Sequence, residues 1–388
     1  MPQTSAGSSP RDRTREDVFR HIQSAGQLTR ARIVELSGLS RSTVNHAVAR
    51  LLADERVTET QAEGGGPGSG SGRPAAVLRV VPRDGGAPVA AIDFGHNHIN
   101  VALGDSLGRP VAEERVELDV DMRAVEAIDR AAGLLDGLRG SFGVDRLGAV
   151  VAGVPGPLDT ASGLVRSPTI LSSWVGLAPR KELEQRLGVP VHAENDALLG
   201  AYGELHLGVG RCYTDFLYVK VSHGIGAGIV VGGAPYRGAL GYAGEIGHTQ
   251  LPGHTEMCRC GNRGCLETVV SVSALAAQIA HTHPGVVSGP RLLPQVDDPV
   301  TERILDGAGR TLGGVLASFC NLLNPSALIV GGELGTSSTG AFVEGVATAV
   351  RRHAQPAIAA GLDILPAGLG TRAELLGALR LATTLVPR

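Results

Sequence analysis

No stretch of this sequence is long and apolar enough to sit in a bilayer. The most hydrophobic segment, "FLYVKVSHGIGAGIVVGG" at 216–233, is broken by Lys220, His223 and several glycines, and "MPQTSAGSSPRDRTRED" at the front contains no apolar run. Neither a membrane span nor a secretory signal is expected, and a cytoplasmic protein is. Cysteine is scarce too: five residues, an odd number, three of them within eight positions. That excludes a secreted disulfide framework, favours metal binding for the cluster, and leaves Cys212 and Cys320 as expected buried thiols. Only two of the 35 basic residues are lysine, which together with 55 glycines reads as coding bias rather than a functional choice.

What is present is enough for two or three globular domains: 388 residues, 43% hydrophobic and 19% charged. The net charge of −3 conceals an asymmetry. Residues 1–83 hold 12 Arg against 8 Asp and Glu, whereas the remainder holds 23 basic against 30 acidic residues. A mildly basic front end joined to an acidic body suits a nucleic-acid-binding segment.

The front end has the order of a winged helix-turn-helix. "TREDVFRHIQSAG" (14–26) spaces Val18, Phe19 and Ile22 as a helix that closes on Gly26. "LTRARIVELSGLSRSTVNHAVARLLADERV" then offers Thr29 as an N-cap, Ile33 and Leu36 on one face, and a Ser-Gly-Leu turn. Ser40 caps the next helix, whose Val44, Ala47, Val48 and Leu51 point inward. Its outer face carries Arg41, Ser42, Thr43, Asn45, His46 and Arg50, short polar and basic groups of the kind that reach base edges and phosphates in a major groove. A two-stranded wing with a Gly/Ser tip should follow, with Arg73 placed to enter a minor groove. The competing reading is a three-helix protein-interaction module with a flexible linker.

Two further segments, "VAAIDFGHNHINVALGD" (89–105) and "FLYVKVSHGIGAGIVVGG", both read as strand, glycine turn, strand. Their repetition predicts a duplicated two-lobe α/β body with a cleft between the lobes. "ALIVGGELG" (327–335) is another strand running into a glycine turn, and "GALRLATTLVPR" reads as a closing helix. "GYAGEIGH" followed by "CRCGNRGCLE" matches G-H, a spacer, then C-x-C-G-x2-G-C-x-E without a gap. On these residues the body resembles the ROK family (repressor, open reading frame, kinase) over residues 88–388, and the winged helix in front resembles the family's repressor branch. The resemblance implies an α/β, actin-like ATPase fold of two lobes, about 88–197 plus the C-terminal helix and about 198–370, preceded by a winged helix-turn-helix domain at 1–83.

Cys258, Cys260 and Cys265 are three thiolates within reach of one ion, and His248 completes the tetrahedron that structural Zn2+ prefers, an assignment that the resemblance also supplies. Such an ion would fix Glu245, His248 and Glu267 around one small volume. Redox-active cysteines and surface glutamates are the plainer alternatives. In ROK kinases the Asn-Asp pair of "VPVHAENDALLGAYGE" binds the sugar, with the aspartate as base, so the resemblance implies sugar contacts for Asn195 and Asp196 beside Glu245, His248 and Glu267. Asp196 also sits where a helix N-cap is expected. Trp174 reads as core packing rather than as a sugar platform.

Where ROK kinases carry D-x-G-G-T and a small G-T-G-x-G, this chain has "DFGHNH" and "SHGIGAG". His96, Asn97 and His223 add bulk where backbone must approach phosphate, so Asp93, Gly95, Gly224, Gly226 and Gly331 are expected to survive as turn formers. The expectation is a sugar-responsive repressor without kinase activity. It would bind a sugar or sugar phosphate between its lobes and double-stranded operator DNA as a homodimer or higher homo-oligomer. The rival reading is an ATP-dependent, glucokinase-like enzyme with an appended DNA-binding domain.

Overall fold

The computed structural model describes residues 14–15, 17–19, 21–22, 27–54, 57–61, 76–80, 86–159, 162–165, 172–283, 298–336 and 340–386. The chain divides into two compact units, Met1–Gly85 and Gly86–Arg388.

In the first unit, residues 14–15, 17–19 and 21–22 are helical and bury Val18 and Ile22, with Phe19 packed beside them. Strand β1 (Gln27–Thr29) leads into α1 (Arg30–Ser37), where Thr29 Oγ1 accepts from Arg32 N as a cap. α1 ends at Gly38, whose φ of 67° is open to glycine at little cost. Ser40 caps α2 (Arg41–Ala53) by accepting from Thr43 N at 3.2 Å, and Val44, Ala47, Val48 and Leu51 all face the core. Leu36, expected beside Ile33, is instead 45% exposed. The buried face of α1 runs between Ile33 and Val34, which turns Leu36 about 110° away from it. The sheet has three antiparallel strands rather than two. β2 (Val57–Gln61) pairs with β3 (Ala76–Val80), and β1 joins the other edge of β3 because Leu28 is drawn into the same core. Gly26, the wing tip and Arg73 lie outside the described residues.

The second unit repeats one plan. Its first sheet, ordered β6-β5-β4-β7-β8, contains β4 (Val89–Phe94), β5 (His98–Gly104), β6 (Pro110–Glu117), β7 (Ala149–Val154) and β8 (Val191–Asn195). Its second sheet, ordered β11-β10-β9-β12-β13, contains β9 (Phe216–Val221), β10 (Ile225–Val231), β11 (Ala234–Tyr236), β12 (Ala327–Gly331) and β13 (Asp363–Pro366). Each is an antiparallel three-strand meander extended by two parallel strands. α3 (Ala124–Phe142) and α4 (Pro179–Leu187) cover the outer face of the first sheet. Trp174 is buried there, its Nε1 donating to Val120 O at 2.8 Å and its ring edge-on to Phe94. It packs the core, as expected.

Between the sheets run α5 (Asp196–His206) and, at the far end of the chain, the helix Ala373–Leu385. Leu199, Leu375, Ala378 and Leu379 pack on the first sheet, while Ala201 and Ala373 pack on the second. The C-terminal helix therefore belongs to both lobes. The two helices touch backbone to backbone: a methyl group on Gly377 would strike the Leu199 carbonyl, and one on Gly203 would strike the Ala373 carbonyl.

The outer face of the second sheet is covered by α6 (Leu266–Val270), α7 (Val272–Thr282), α8 (Pro299–Leu323) and α9 (Ala341–His353), and Ala373–Leu385 becomes α10. Cys320 of α8 is buried, which pushes its thiol up to about 11. Cys212, expected buried as well, is exposed in a short 3-10 turn after α5. Among the described residues, no helix is long and apolar enough to cross a membrane.

Candidate functional site

A cleft opens between the two sheets where the turns of the two hairpins face the start of α5. Its lining brings together all five residues expected to contact sugar: Asn195, Asp196, Glu245, His248 and Glu267. Asn195, not Asp196, is the N-cap of α5, with Oδ1 accepting from Leu198 N at 3.0 Å and Nδ2 donating to Gly156 O at 3.2 Å. That correction follows from the extended backbone of Asn195, which ends β8, whereas Asp196 is already helical. Freed from the cap, Asp196 Oδ1 accepts from Ala197 N at 2.7 Å and Oδ2 from Lys220 Nζ at 2.9 Å.

In the sequence, Lys220 is no more than a charge that interrupts a hydrophobic strand. In the fold it is one of the most heavily engaged groups of the cleft. It reaches Asp196 from β9 and lies 3.8 Å from Glu374 at the first turn of α10. Burial works against its charge, but Asp196, Glu374 and Asp93 outweigh burial and hold the ammonium well above its ordinary range. Burial pushes Glu374 up to about 7, against the pull of Lys220, and Tyr218 donates to it at 2.9 Å. Asp93 goes the other way. Burial would raise it, yet His98, Lys220 and the Asn100 amide together lower it to about 2.

The hairpin turns contain Gly95, His96 and Asn97 in one lobe and Ser222, His223 and Gly224 in the other. Of the five residues expected to survive as turn formers, only Gly95 and Gly224 lie in turns. Asp93, Gly226 and Gly331 are strand residues, and the last two leave room for Ala197 and the Tyr218 ring. Two side chains of the turns meet across the cleft: Asn97 Nδ2 lies 3.4 Å from His223 Nε2. His96 Nε2 sits 2.8 Å from the place a Gly224 Cβ would take. His96 Nδ1 is 2.7 Å from Asp121 Oδ1, and Arg259 reaches the other oxygen of Asp121 at 2.5 Å. Nothing local in the sequence marks Asp121 and Arg259, 138 positions apart, as partners.

Arg259 stands between two cysteines of the predicted cluster. His248, Cys258, Cys260 and Cys265 each offer one ligand atom, all within 4.8 Å of one another. Cys260 and Cys265 Sγ are 3.6 Å apart, and Cys258 Sγ is 3.6 Å from His248 Nδ1. A tetrahedral ion with Zn–S of about 2.3 Å and Zn–N of about 2.0 Å requires separations of about 3.8 and 3.5 Å. The donor set can hold a metal ion. Burial and its thiol neighbours push the Cys265 thiol up to about 12. With Nδ1 turned to the cysteines, His248 Nε2 faces Glu245 at 3.7 Å, so one ring serves the cluster and the cleft. Burial, then the nearby Asp196 and Glu267, raise Glu245 to about 7.

The loop bearing Glu245 is tied to the opposite lobe by Arg237, whose Nε donates to the buried Glu194 at 2.8 Å. On α2 of the first unit, Arg41, Ser42, Asn45, His46 and Arg50 are exposed, and Thr43 is half-buried with its hydroxyl bonded to Ser40. The expected recognition face is thus open to solvent, apart from Thr43.

Comparison with known proteins agrees with both units. A profile described as winged helix-turn-helix DNA-binding matches residues 11–58. The xylose repressor of Bacillus subtilis (strain 168) is 30% identical over 93% of this chain and 92% of its own length. The DNA-binding transcriptional repressor Mlc of Escherichia coli (strain K12) is 26% identical over 97% and 92%. Among solved structures, a ROK family transcriptional regulator, a homologue of the Escherichia coli Mlc protein, covers 96% of this chain and 95% of its own, with a TM-score of 0.65 and 22% identity, a likeness of fold. A ROK glucokinase from Streptomyces griseus, solved with glucose and AMPPNP, covers 77% of this chain and 100% of its own, with a TM-score of 0.64 and 26% identity. The ROK family profile matches residues 89–384, and the chain belongs to that family.

Proposed function

We propose that the chain is a sugar-responsive, DNA-binding transcriptional regulator of carbohydrate metabolism, acting as a repressor. The observation that carries this reading is a cleft lined by Asn195, Asp196, Glu245, His248 and Glu267, in a chain that also holds a capped, solvent-facing helix α2 in a winged helix-turn-helix unit. Carboxylates accept from sugar hydroxyls and the free valences of the Asn195 amide both donate and accept, so the wall suits a polyhydroxylated ligand. A ligand of this cleft touches both lobes and shifts DNA affinity to the extent that it distinguishes two lobe arrangements.

Zinc is the ion that the three thiolates and one imidazole fit best, and its part is to stiffen the corner that presents Glu245, His248 and Glu267. Arg41, Ser42, Thr43, Asn45, His46, Arg50 and Arg73 are the proposed DNA contacts. A homodimer in the cytoplasm, bound to a pseudo-palindromic operator, matches the symmetry that such readers use.

The likeness to a glucokinase favours a second reading, an active sugar kinase. Two features oppose it. His96 fills the space beside Gly224 and His98 the space beside Gly95, where backbone must approach phosphate, and both oxygens of Asp196 already accept, one from Ala197 N and one from Lys220 Nζ. The test is fluorescence anisotropy on labelled DNA from the chain's own promoter, titrated with and without a panel of sugars. A sugar that changes DNA affinity supports the regulator; if none does at saturation, the sugar-responsive reading fails.

A further inference from the structure

We infer that the ligand of this cleft is an uncharged carbohydrate and that the cleft rejects the same sugar once it is phosphorylated. This rests on the sugar-site reading and narrows it. A phosphate ester brings nearly two negative charges, and proteins hold it with free lysine or arginine side chains, with the N–H groups of a glycine turn, or with the start of a helix. All three devices are present here, and at each of them donors that border the cleft are already engaged by a polar side chain of the protein, a carboxylate in nearly every case.

The cations come first. Lys220 is held by Asp196 at 2.9 Å with Glu374 at 3.8 Å, and Arg259 is held by Asp121 at 2.5 Å. Farther out along the walls, Arg115 pairs with Glu117 and Arg123 with Glu126. His96 points Nδ1 at the same Asp121, and burial lowers His223 to about 4, which leaves it neutral at physiological pH. The glycine turn is next. Ile225 N, the donor a phosphate oxygen would seek at the second hairpin, donates to Glu267 Oε2 at 3.1 Å. That oxygen also stands 3.2 Å from the place a Gly224 Cβ would take, so the carboxylate fills the space over the turn. At the start of α5, Leu198 N is given to Asn195 and Ala197 N to Asp196. Along the cleft and the two chambers that adjoin it, carboxylate side chains outnumber lysines and arginines by nine to four.

A phosphate that takes one of these carboxylate-held donors must pull the carboxylate away and leave it beside a second anion. A sugar hydroxyl makes no such demand, because it can donate to an occupied carboxylate through its remaining lone pair without displacing the existing partner.

The experiment is isothermal titration calorimetry on the full chain with glucose, xylose, mannose and N-acetylglucosamine, each beside its terminal phosphate ester, with thermal melting as a parallel reading. At least one neutral sugar is expected to bind, and its ester to bind about a hundredfold more weakly or not at all, the scale of an unscreened like-charge contact in a partly buried site. An ester that binds as tightly as its parent sugar, or more tightly, overturns the inference and leaves the sugar-site reading standing. A cooperatively folded chain that binds no member of the panel in either form refutes both.

Discussion

Replacing Lys220 with methionine keeps the length of the side chain and removes its charge, and the surroundings set the size of the effect. The ammonium is 14% exposed, Asp196 11% and Glu374 4%, so the carboxylates it leaves behind have little access to water. Removing one partner of a buried ion pair costs about 3–5 kcal/mol. Glu374 already sits at about 7 and takes up a proton readily, which places the loss at the lower end, about 3 kcal/mol at pH 7. In a unit of this size roughly 2 °C of melting temperature corresponds to 1 kcal/mol, so Lys220→Met should melt about 6 °C lower.

The pH dependence has a definite sign. Glu374 is raised from 4.5 to about 7 in the fold, so the folded chain binds more protons than the unfolded one between those values. Its contribution is full below about 4.5 and is lost as pH climbs to about 7. Without the pull of the lysine Glu374 moves further up, acidification restores more stability, and the gap between variant and parent narrows between pH 7 and pH 5. Circular dichroism melts of both proteins at the two pH values measure this. A gap below 2 °C at pH 7, or one that does not change with pH, would refute the view that Lys220 neutralises a desolvated cluster.

Metal analysis of the purified chain should find one zinc per chain. Stripping it with a chelator, or replacing Cys260 with serine, should lower the melting temperature and abolish sugar binding; a metal-free chain that still binds sugar contradicts the structural role. Arg41→Ala and Arg50→Ala should each weaken operator binding and reduce its salt slope by about 1 if each contacts a phosphate, and unchanged binding in both would remove α2 as the reading helix. Incubation with ATP and the hexose panel should yield no sugar phosphate in a coupled assay, whereas turnover near the kinase range of about 1–100 per second would restore the enzyme reading.

The sequence disclosed those parts of the site in which chemistry and spacing coincide within a short segment. Cys258, Cys260 and Cys265 fall within eight positions, and the hairpins announce themselves by alternation around glycine. It disclosed poorly what depends on rotation or on distant pairing. The shift of the buried face of α1 by one residue exposes Leu36, and the division of labour between Asn195 and Asp196 is decided by which of two adjacent residues first turns helical. The Lys220, Asp196 and Glu374 cluster joins three segments that only the crossing of α5 and α10 brings together. Lys220 did leave a trace, as one of two lysines in the chain set in the middle of an apolar strand.

Arg259 occupies the single position between two thiol ligands while its guanidinium grips a carboxylate on the opposite lobe. Whatever loosens the sulfur cluster therefore slackens a strut across the mouth of the cleft as well. On the proposed reading, metal supply and thiol oxidation thereby act on the same cleft that the sugar would occupy.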